Sequence, residues 1–242
     1  MSALLEVRNV TKRFGGLTAV NDLSFDVSEG EVLALLGPNG SGKTTMMNMI
    51  SGALKSSSGD INLAGAPITG LPPHRIAAKG VARTFQLVKI LPSLDVRENV
   101  VAALAFRHDA LWGKTAQDEA DRLLAHAGLE SRGSEMVENL TYIDQKRVEL
   151  ARALAAQPRL LLLDEWLAGL NPTELHIGIE LIAMLRKSGM TILLVEHVME
   201  AVRALCSRCV VMNAGSKIAD GETHAVLADP EVIRAYLGEA HA

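Results

Sequence analysis

The sequence predicts an α/β fold built on a parallel sheet, and three observations predict it. The apolar run Glu31-Val32-Leu33-Ala34-Leu35-Leu36 leads through Gly37-Pro38-Asn39-Gly40-Ser41-Gly42-Lys43-Thr44 into Thr45-Met46-Met47-Asn48-Met49-Ile50, which reads as strand, glycine loop, helix. Two further continuous apolar runs come later, Leu160 to Asp164 and Thr191 to Val195, as strands covered on both faces require. Helical stretches separate these runs, and strands alternating with helices imply parallel pairing through right-handed crossovers.

Ahead of the loop, Leu4 to Val10 and Leu23 to Val27 alternate apolar and polar residues. They are expected as half-buried antiparallel strands flanking a turn at Arg13-Phe14-Gly15-Gly16. The helix that begins at Lys43 is expected to end at Gly52, followed by the polar connection Ser56 to Gly59 and a short strand from Asp60 to Leu63. Pro72 and Pro73 suit the first turn of a helix that runs to about Lys79 and stops at Gly80. From about Leu87 to Gln157 the sequence becomes helix-rich, with helices expected within Gln117 to Ala127 and Asp144 to Ala156. Asn171 can cap a helix with Pro172 at its first position and Glu174 at the capping-box spacing, closing near Gly189. Cys209 to Met212 reads as one more apolar strand.

A chain of 242 residues, 48% hydrophobic and 21% charged, can bury one large core or two small ones. Its net charge of −4, with no long basic run, argues against a general nucleic-acid surface. No apolar run approaches the ~20 residues that span a bilayer. The start Met1-Ser2-Ala3-Leu4-Leu5-Glu6 lacks the basic and apolar regions of a secretory signal, so a cytoplasmic location is expected, with any membrane role supplied by a partner. Cys206 and Cys209 form a lone C-x-x-C. Without a second ligand pair or a thioredoxin-like context they read as reduced, inert thiols at a buried junction of helix and strand.

The glycine loop carries the chemistry. In G-x-x-x-x-G-K-[ST] the glycines let successive backbone N–H groups turn inward on a phosphate, and the following helix adds the positive end of its dipole. Asn39, Gly40, Ser41, Gly42, Lys43, Thr44 and Thr45 are the expected nucleotide contacts. Lys43 would reach the β- and γ-phosphates, and the Thr44 hydroxyl would ligate Mg²⁺. A phosphoryl-transfer site also needs a carboxylate for the metal and a group that polarises the attacking water. Acids after strands are common helix caps. Downstream of a phosphate loop, Asp164 fits the first role and Glu165 the second. Gly37 and Asp164 would both sit outside strand C-termini, where such sheets gather their ligands.

With these motifs read, the chain resembles the ATP-binding-cassette (ABC) ATPases from end to end. The resemblance implies a P-loop NTPase fold with a parallel core sheet, an N-terminal antiparallel β subdomain and a helical subdomain. It implies a single domain over residues 1–242, with 1–86 and about 158–242 as nucleotide-binding core and about 87–157 as helical subdomain. ATP and Mg²⁺ are the implied ligands. Gln86, in Ala82-Arg83-Thr84-Phe85-Gln86, is similar to the family's glutamine loop, which senses Mg²⁺ and the attacking water. His197, in Leu194-Val195-Glu196-His197, resembles the switch histidine on the γ-phosphate. Phe14 resembles the aromatic that stacks on adenine, with Val20 beside the base. Ala168-Gly169-Leu170-Asn171 resembles the D-loop of the dimer interface, with Asn171 where many members carry Asp.

Two places depart from the family pattern. The signature motif L-S-G-G-Q, which opens a helix toward the γ-phosphate bound on the opposite subunit, corresponds here to Leu140-Thr141-Tyr142-Ile143-Asp144. Thr141 can keep the hydroxyl, but Ile143 replaces a glycine and Asp144 introduces a negative charge that would repel phosphate. Losing one charge-assisted contact costs roughly 1.5–3 kcal/mol, so the chain is expected to complete its partner's site poorly, within an asymmetric pair. The second departure is Trp166, where the family usually has proline; its indole needs a packing site and an N–H partner.

Within the family, Arg13 to Val20, Gly80 to Gln86 and Ala168 to Glu174 most resemble the ATP-binding subunits of bacterial branched-chain amino acid importers. Urea and short-amide importers use similar cassettes, and the altered signature keeps open a weakly hydrolysing regulatory subunit. The implied partners are a second ATPase subunit, identical or not, two transmembrane permeases and, indirectly, a periplasmic solute-binding protein. The implied place is the cytoplasmic face of the inner membrane. Leu87 to Leu104, including Leu91 and Leu94, resembles the groove for a permease's cytoplasmic helix. Soluble relatives that act on DNA or ribosomes usually carry two cassettes, long coiled coils or basic extensions, which this sequence lacks.

Overall fold

In the computed structural model, which describes residues 2–107 and 109–237, the parallel sheet forms around the apolar runs. Strands β1 (Ala3–Phe14) and β2 (Leu17–Ser28) make an antiparallel hairpin, extended by β4 (Ser58–Leu63) and β5 (Ala66–Pro67) in the order β2-β1-β4-β5. Strands β3 (Val32–Leu36), β6 (Val81–Arg83), β7 (Leu160–Asp164), β8 (Thr191–Val195), β9 (Arg208–Asn213) and β10 (Ser216–Glu222) make the second sheet, ordered β10-β9-β3-β8-β7-β6. All neighbours in it run parallel except β10, which returns antiparallel along β9.

The helices are α1 (Lys43–Ile50), α2 (Pro73–Ala78), α3 (Val96–Leu104), α4 (Gly113–His126), α5 (Tyr142–Ala155), α6 (Pro172–Lys187), α7 (Met199–Leu205), α8 (Thr223–Leu227) and α9 (Pro230–Leu237). The helix-rich stretch thus resolves into α3, α4 and α5, inserted between β6 and β7.

The continuous apolar strands are buried on both faces because they divide two cores. In β3, Val32, Ala34 and Leu36 enter one core with residues of α3 to α7, while Leu33 and Leu35 enter the other with β1, β2, β4 and α1. Leu161 and Leu163 of β7 repeat the first choice, Leu160 and Leu162 the second. Removing side chains of this size from water contributes roughly 1.5–3 kcal/mol each, which fixes the strand register.

Several boundaries differ from expectation for local reasons. β1 and β2 run longer than Leu4 to Val10 and Leu23 to Val27, because irregular register between Val7 and Lys12 breaks the simple alternation. Asn9 and Asp22 take left-handed backbone there, with φ of 48° and 49°. α4 begins at Gly113 rather than Gln117, behind Trp112, whose side chain caps nothing. α5 begins at Tyr142 rather than Asp144, because Thr141 is its cap. β10, half-exposed and polar, carries no hydrophobic signal. α6 follows the expected capping box of Asn171 and Glu174. Cys206 and Cys209 are buried free thiols; burial pushes them up to about 12 and about 11.

Candidate active site

Because β3, β8, β7 and β6 are parallel neighbours, the residues just past each of their C-termini lie along one edge of the sheet. The phosphate loop leaves β3, Glu196 and His197 leave β8, Asp164 ends β7 with Glu165 beyond it, and Gln86 comes after β6. Ala19, Asn39, Gly40, Ser41, Gly42, Lys43, Thr44, Thr45 and Glu165 line one cleft of about 160 Å³. Every residue of the expected phosphate cradle is therefore on its wall.

The loop's shape depends on glycine at two places. Gly37 has φ of 143°, and a Cβ there would lie 2.1 Å from the Met212 carbonyl oxygen. Gly42, φ 105°, approaches the Ala19 carbonyl so closely that a Cβ would meet its oxygen at 2.5 Å. α1 starts directly after, with no side-chain cap and no acid in its first turn, so its leading N–H groups and dipole are not spent on a carboxylate. Lys43 is buried, and its ammonium donates to the Gly37 and Pro38 carbonyls at 2.6 and 2.8 Å.

Three expected residues meet beside this cleft. Glu165 Oε2 accepts from Gln86 Nε2 at 2.6 Å, and its Oε1 lies 3.1 Å from His197 Nε2. Glu165 is aimed by its backbone: φ is 50°, and its N–H donates to the Val195 carbonyl at 2.8 Å. Asp164, 4% exposed, is gripped through Oδ2 by Arg83 at 2.6 Å. Arg83 also donates to Asn48 Oδ1 at 2.7 Å and to Ser51 Oγ at 3.1 Å, joining β6, β7 and α1 around the acid.

The donors present suit a hard cation. Among the described residues no cluster of three or more His, Cys, Asp and Glu could hold a metal unaided, so an ion here would complete its shell with water or ligand oxygens. Thr44 supplies a hydroxyl on the cleft wall. Arg83 takes one Asp164 oxygen and leaves Oδ1, and Gln86 uses its amide nitrogen on Glu165 and leaves its carbonyl. Such an oxygen set fits Mg²⁺.

Phe14 is 47% exposed, with Lys12 Nζ 4.9 Å from its ring centre. Val20 corrects an expectation: it is fully buried, leaving no surface for a base. It supports the loop from below, where a Cβ on Gly42 would touch it at 3.2 Å.

The signature stretch also differs from expectation. Ile143 is 6% exposed and packs in the helical core, and Asp144, 7% exposed, is turned inward. The Asp144 carboxylate accepts from the Thr141 hydroxyl at 2.7 Å, Arg132 at 2.6 Å and Arg147 at 2.9 Å. Burial pushes its acidity down, but these hydrogen bonds and the two guanidinium charges outweigh it and hold the carboxyl below its ordinary range. The expected repulsion of phosphate by a bare charge is thus not what the structure presents, since two arginines neutralise that charge. The hydroxyl expected for phosphate is instead donated to Asp144.

Trp166 has both things its indole needs. It is fully buried, and Nε1 donates to the Lys146 carbonyl of α5 at 3.3 Å. Gly178 of α6 makes room, since a Cβ there would meet the indole at 3.3 Å.

Sequence reasoning missed three supporting groups. Arg83 had a signal, a cation inside a short strand that requires a buried acid. Glu196, 1% exposed, accepts from the Leu167 and His197 N–H groups at 2.7 and 3.3 Å, and burial pushes it up to about 7. Glu149 of α5 accepts from the Lys89 N–H at 2.9 Å, tying the signature helix to the segment after Gln86. Neither acid stands out in sequence.

Comparison with known proteins matches residues 20–168 to the ABC transporter family and residues 216–242 to a branched-chain amino acid ATP-binding cassette transporter family. The chain is 41% identical to the high-affinity branched-chain amino acid transport ATP-binding protein LivG of Salmonella typhimurium, covering 98% of each. It is 40% identical to BraF of Pseudomonas aeruginosa, described in the same words, and 36% identical to the lipopolysaccharide export system ATP-binding protein LptB of Escherichia coli, with 98% of each chain covered in both cases. Among solved structures, the ADP conformation of an ATP-binding cassette of an ABC transporter superposes with a TM-score of 0.90 at 30% identity, covering 98% of this chain and 100% of that one. A dimeric cassette in a post-hydrolysis state with ADP and Pi gives 0.81 at 25%, over 90% and 98%.

Proposed function

The chain belongs to the ABC transporter family as one of its ATPase subunits, and we propose that it drives import of branched-chain amino acids by closing head to tail with a second such subunit. The convergence of Gln86, Glu165 and His197 beside the phosphate loop carries the reading. LivG and BraF, similar over nearly the whole chain, support the solute class. LptB, only slightly less similar, is named for lipopolysaccharide export, so the cassette itself does not select the cargo.

In this mechanism the loop amides and Lys43 bind the phosphates, with the Gly37 and Pro38 carbonyls holding the Lys43 ammonium at the cradle. Glu165 takes a proton from the attacking water, held in place by Gln86 and His197. His197 then faces the γ-phosphate, and Phe14 offers its exposed ring to adenine. Thr44, Gln86 and Asp164 would hold Mg²⁺, which when bound neutralises phosphate charge; Arg83 orients the Asp164 carboxylate. Separation after hydrolysis resets the permeases.

The permease surface is a groove of about 870 Å³ lined by His74, Leu91, Ala103, Phe106, Arg107 and Arg152 among others. Phe106 is 92% exposed beside it. Leu91 of the expected segment is on its wall; Leu94 is half-buried and is not. No helix among the described residues is long and apolar enough to cross a membrane, so the permeases would provide the attachment at the cytoplasmic face.

Removing the chain from cells and measuring uptake of labelled leucine, isoleucine, valine and urea tests the solute class. Loss confined to the three amino acids is expected, and their unchanged uptake rejects it. Leu91→Asp with Phe106→Asp should abolish uptake while the assembled subunits still hydrolyse ATP; intact uptake rejects the groove.

A further inference from the structure

The phosphate loop is held from an unexpected direction. Gly37 N–H, at the loop's first residue, donates to the Tyr236 hydroxyl of α9 at 2.8 Å, across 199 sequence positions. α9 is seated by Val232, which is 2% exposed, and the Tyr236 ring packs against the larger core. The loop's far side is tied to the same C-terminal portion: Gly215 N–H, in the turn between β9 and β10, donates to the Ser41 carbonyl at 3.0 Å.

Gly37 is therefore held at both ends, its N–H by Tyr236 and its carbonyl by Lys43. The Lys43 ammonium gives two of its three N–H donors to the loop carbonyls, so a phosphate that draws it inward loosens its hold on Gly37. When it turns to the nucleotide, the bond from Tyr236 stays on Gly37, a residue whose left-handed φ and close approach to Met212 leave no other residue type possible. We propose that Tyr236 is a positioning residue for nucleotide binding, fixing Gly37 so that the cradle keeps its shape as Lys43 is drawn toward phosphate. The C-terminal helix thereby sets nucleotide affinity without touching the nucleotide.

Tyr236→Phe in the full chain tests this, because it keeps the ring and deletes the acceptor. ADP affinity should fall and the KM for ATP should rise by about 3- to 10-fold, the range set by one hydrogen bond to a backbone N–H, with kcat changed less than about two-fold. Amide exchange at Gly37 should quicken in the ADP-bound protein, and the melting point of the nucleotide-free protein should fall by no more than the few °C that one hydrogen bond sets. A merely structural bond would leave ADP affinity and KM unchanged whatever the melting point does, and that result overturns the proposal. So does unaltered Gly37 exchange in the ADP-bound variant.

Discussion

The phosphate loop and the signature stretch are the two half-sites that a head-to-tail pair would bring together, and they use their polar groups in opposite ways. At the loop, α1 begins without a side-chain cap or an acid, so its N–H groups are available to a ligand. At the signature, α5 begins on Thr141, which accepts from the Asp144 N–H at 3.4 Å and returns its own proton to the Asp144 carboxylate. One helix start is built open and the other closed on itself. An open start costs unsatisfied donors until phosphate arrives, whereas a closed one is stable alone and has less to offer a partner's nucleotide. This difference in bonding, rather than charge repulsion, is what would make a pair asymmetric.

The largest expected effect lies on the open side. Glu165→Gln removes the proton acceptor between Gln86 and His197, so turnover should fall by about 10²–10⁴-fold while ATP binding persists. Single-turnover assays with labelled ATP, alongside equilibrium binding, read both quantities. Surviving turnover would place catalysis elsewhere and end the contrast.

Trp166 joins the two halves, coming directly after Glu165 in sequence and donating to the backbone of α5. Trp166→Ala should cost about 3–5 kcal/mol in urea unfolding, through the cavity it leaves. Trp166→Phe keeps most of the packing and loses the hydrogen bond, so about 1 kcal/mol is expected. Equal costs for the two would show that the tie to α5, not packing, is what matters.

The open half is far more legible in sequence than the closed one. Gly37 to Thr44, Leu160 to Asp164 and Thr191 to Val195 spell their environment, because continuous apolar strands must be buried on both faces and a backbone cradle needs glycine. Asp144 misleads because its sign is visible in sequence but its direction is not. Arg132, twelve residues upstream and outside the helix, decides it. Val20 misleads similarly, since its nearness in sequence to Phe14 says nothing about which face of β2 it occupies. Tyr236 carries no local signal, as its partner is nearly the whole chain away.

A smaller effect isolates the closed half. Thr141→Ala removes the cap of α5 and should cost about 1 kcal/mol of stability. If its hydroxyl is committed to Asp144, turnover in the assembled pair should fall less than about two-fold. A loss above about ten-fold, of the size seen when a charge-assisted contact is removed, would mean that the hydroxyl swings to the partner's phosphate on closure.

The smallest effect is confined to acid. Asp144 titrates below its ordinary value of 3.8 in the folded chain, so protonation uncouples it from Thr141, Arg132 and Arg147 only at low pH. Between the folded and the ordinary value the unfolded chain binds the proton more readily, so stability from this cluster is complete above the ordinary value and drains away as pH falls through the folded one. The difference in urea midpoint between the wild type and Asp144→Asn should therefore be constant from about pH 7 to pH 5 and shrink below about pH 4. Glu119, held low by Arg122 and Arg107 away from this cluster, contributes equally to both proteins and cancels in that difference. A difference that stays flat through pH 3 would mean that the two arginines do not grip Asp144, and the closed half-site would have to be explained by the buried Ile143 alone.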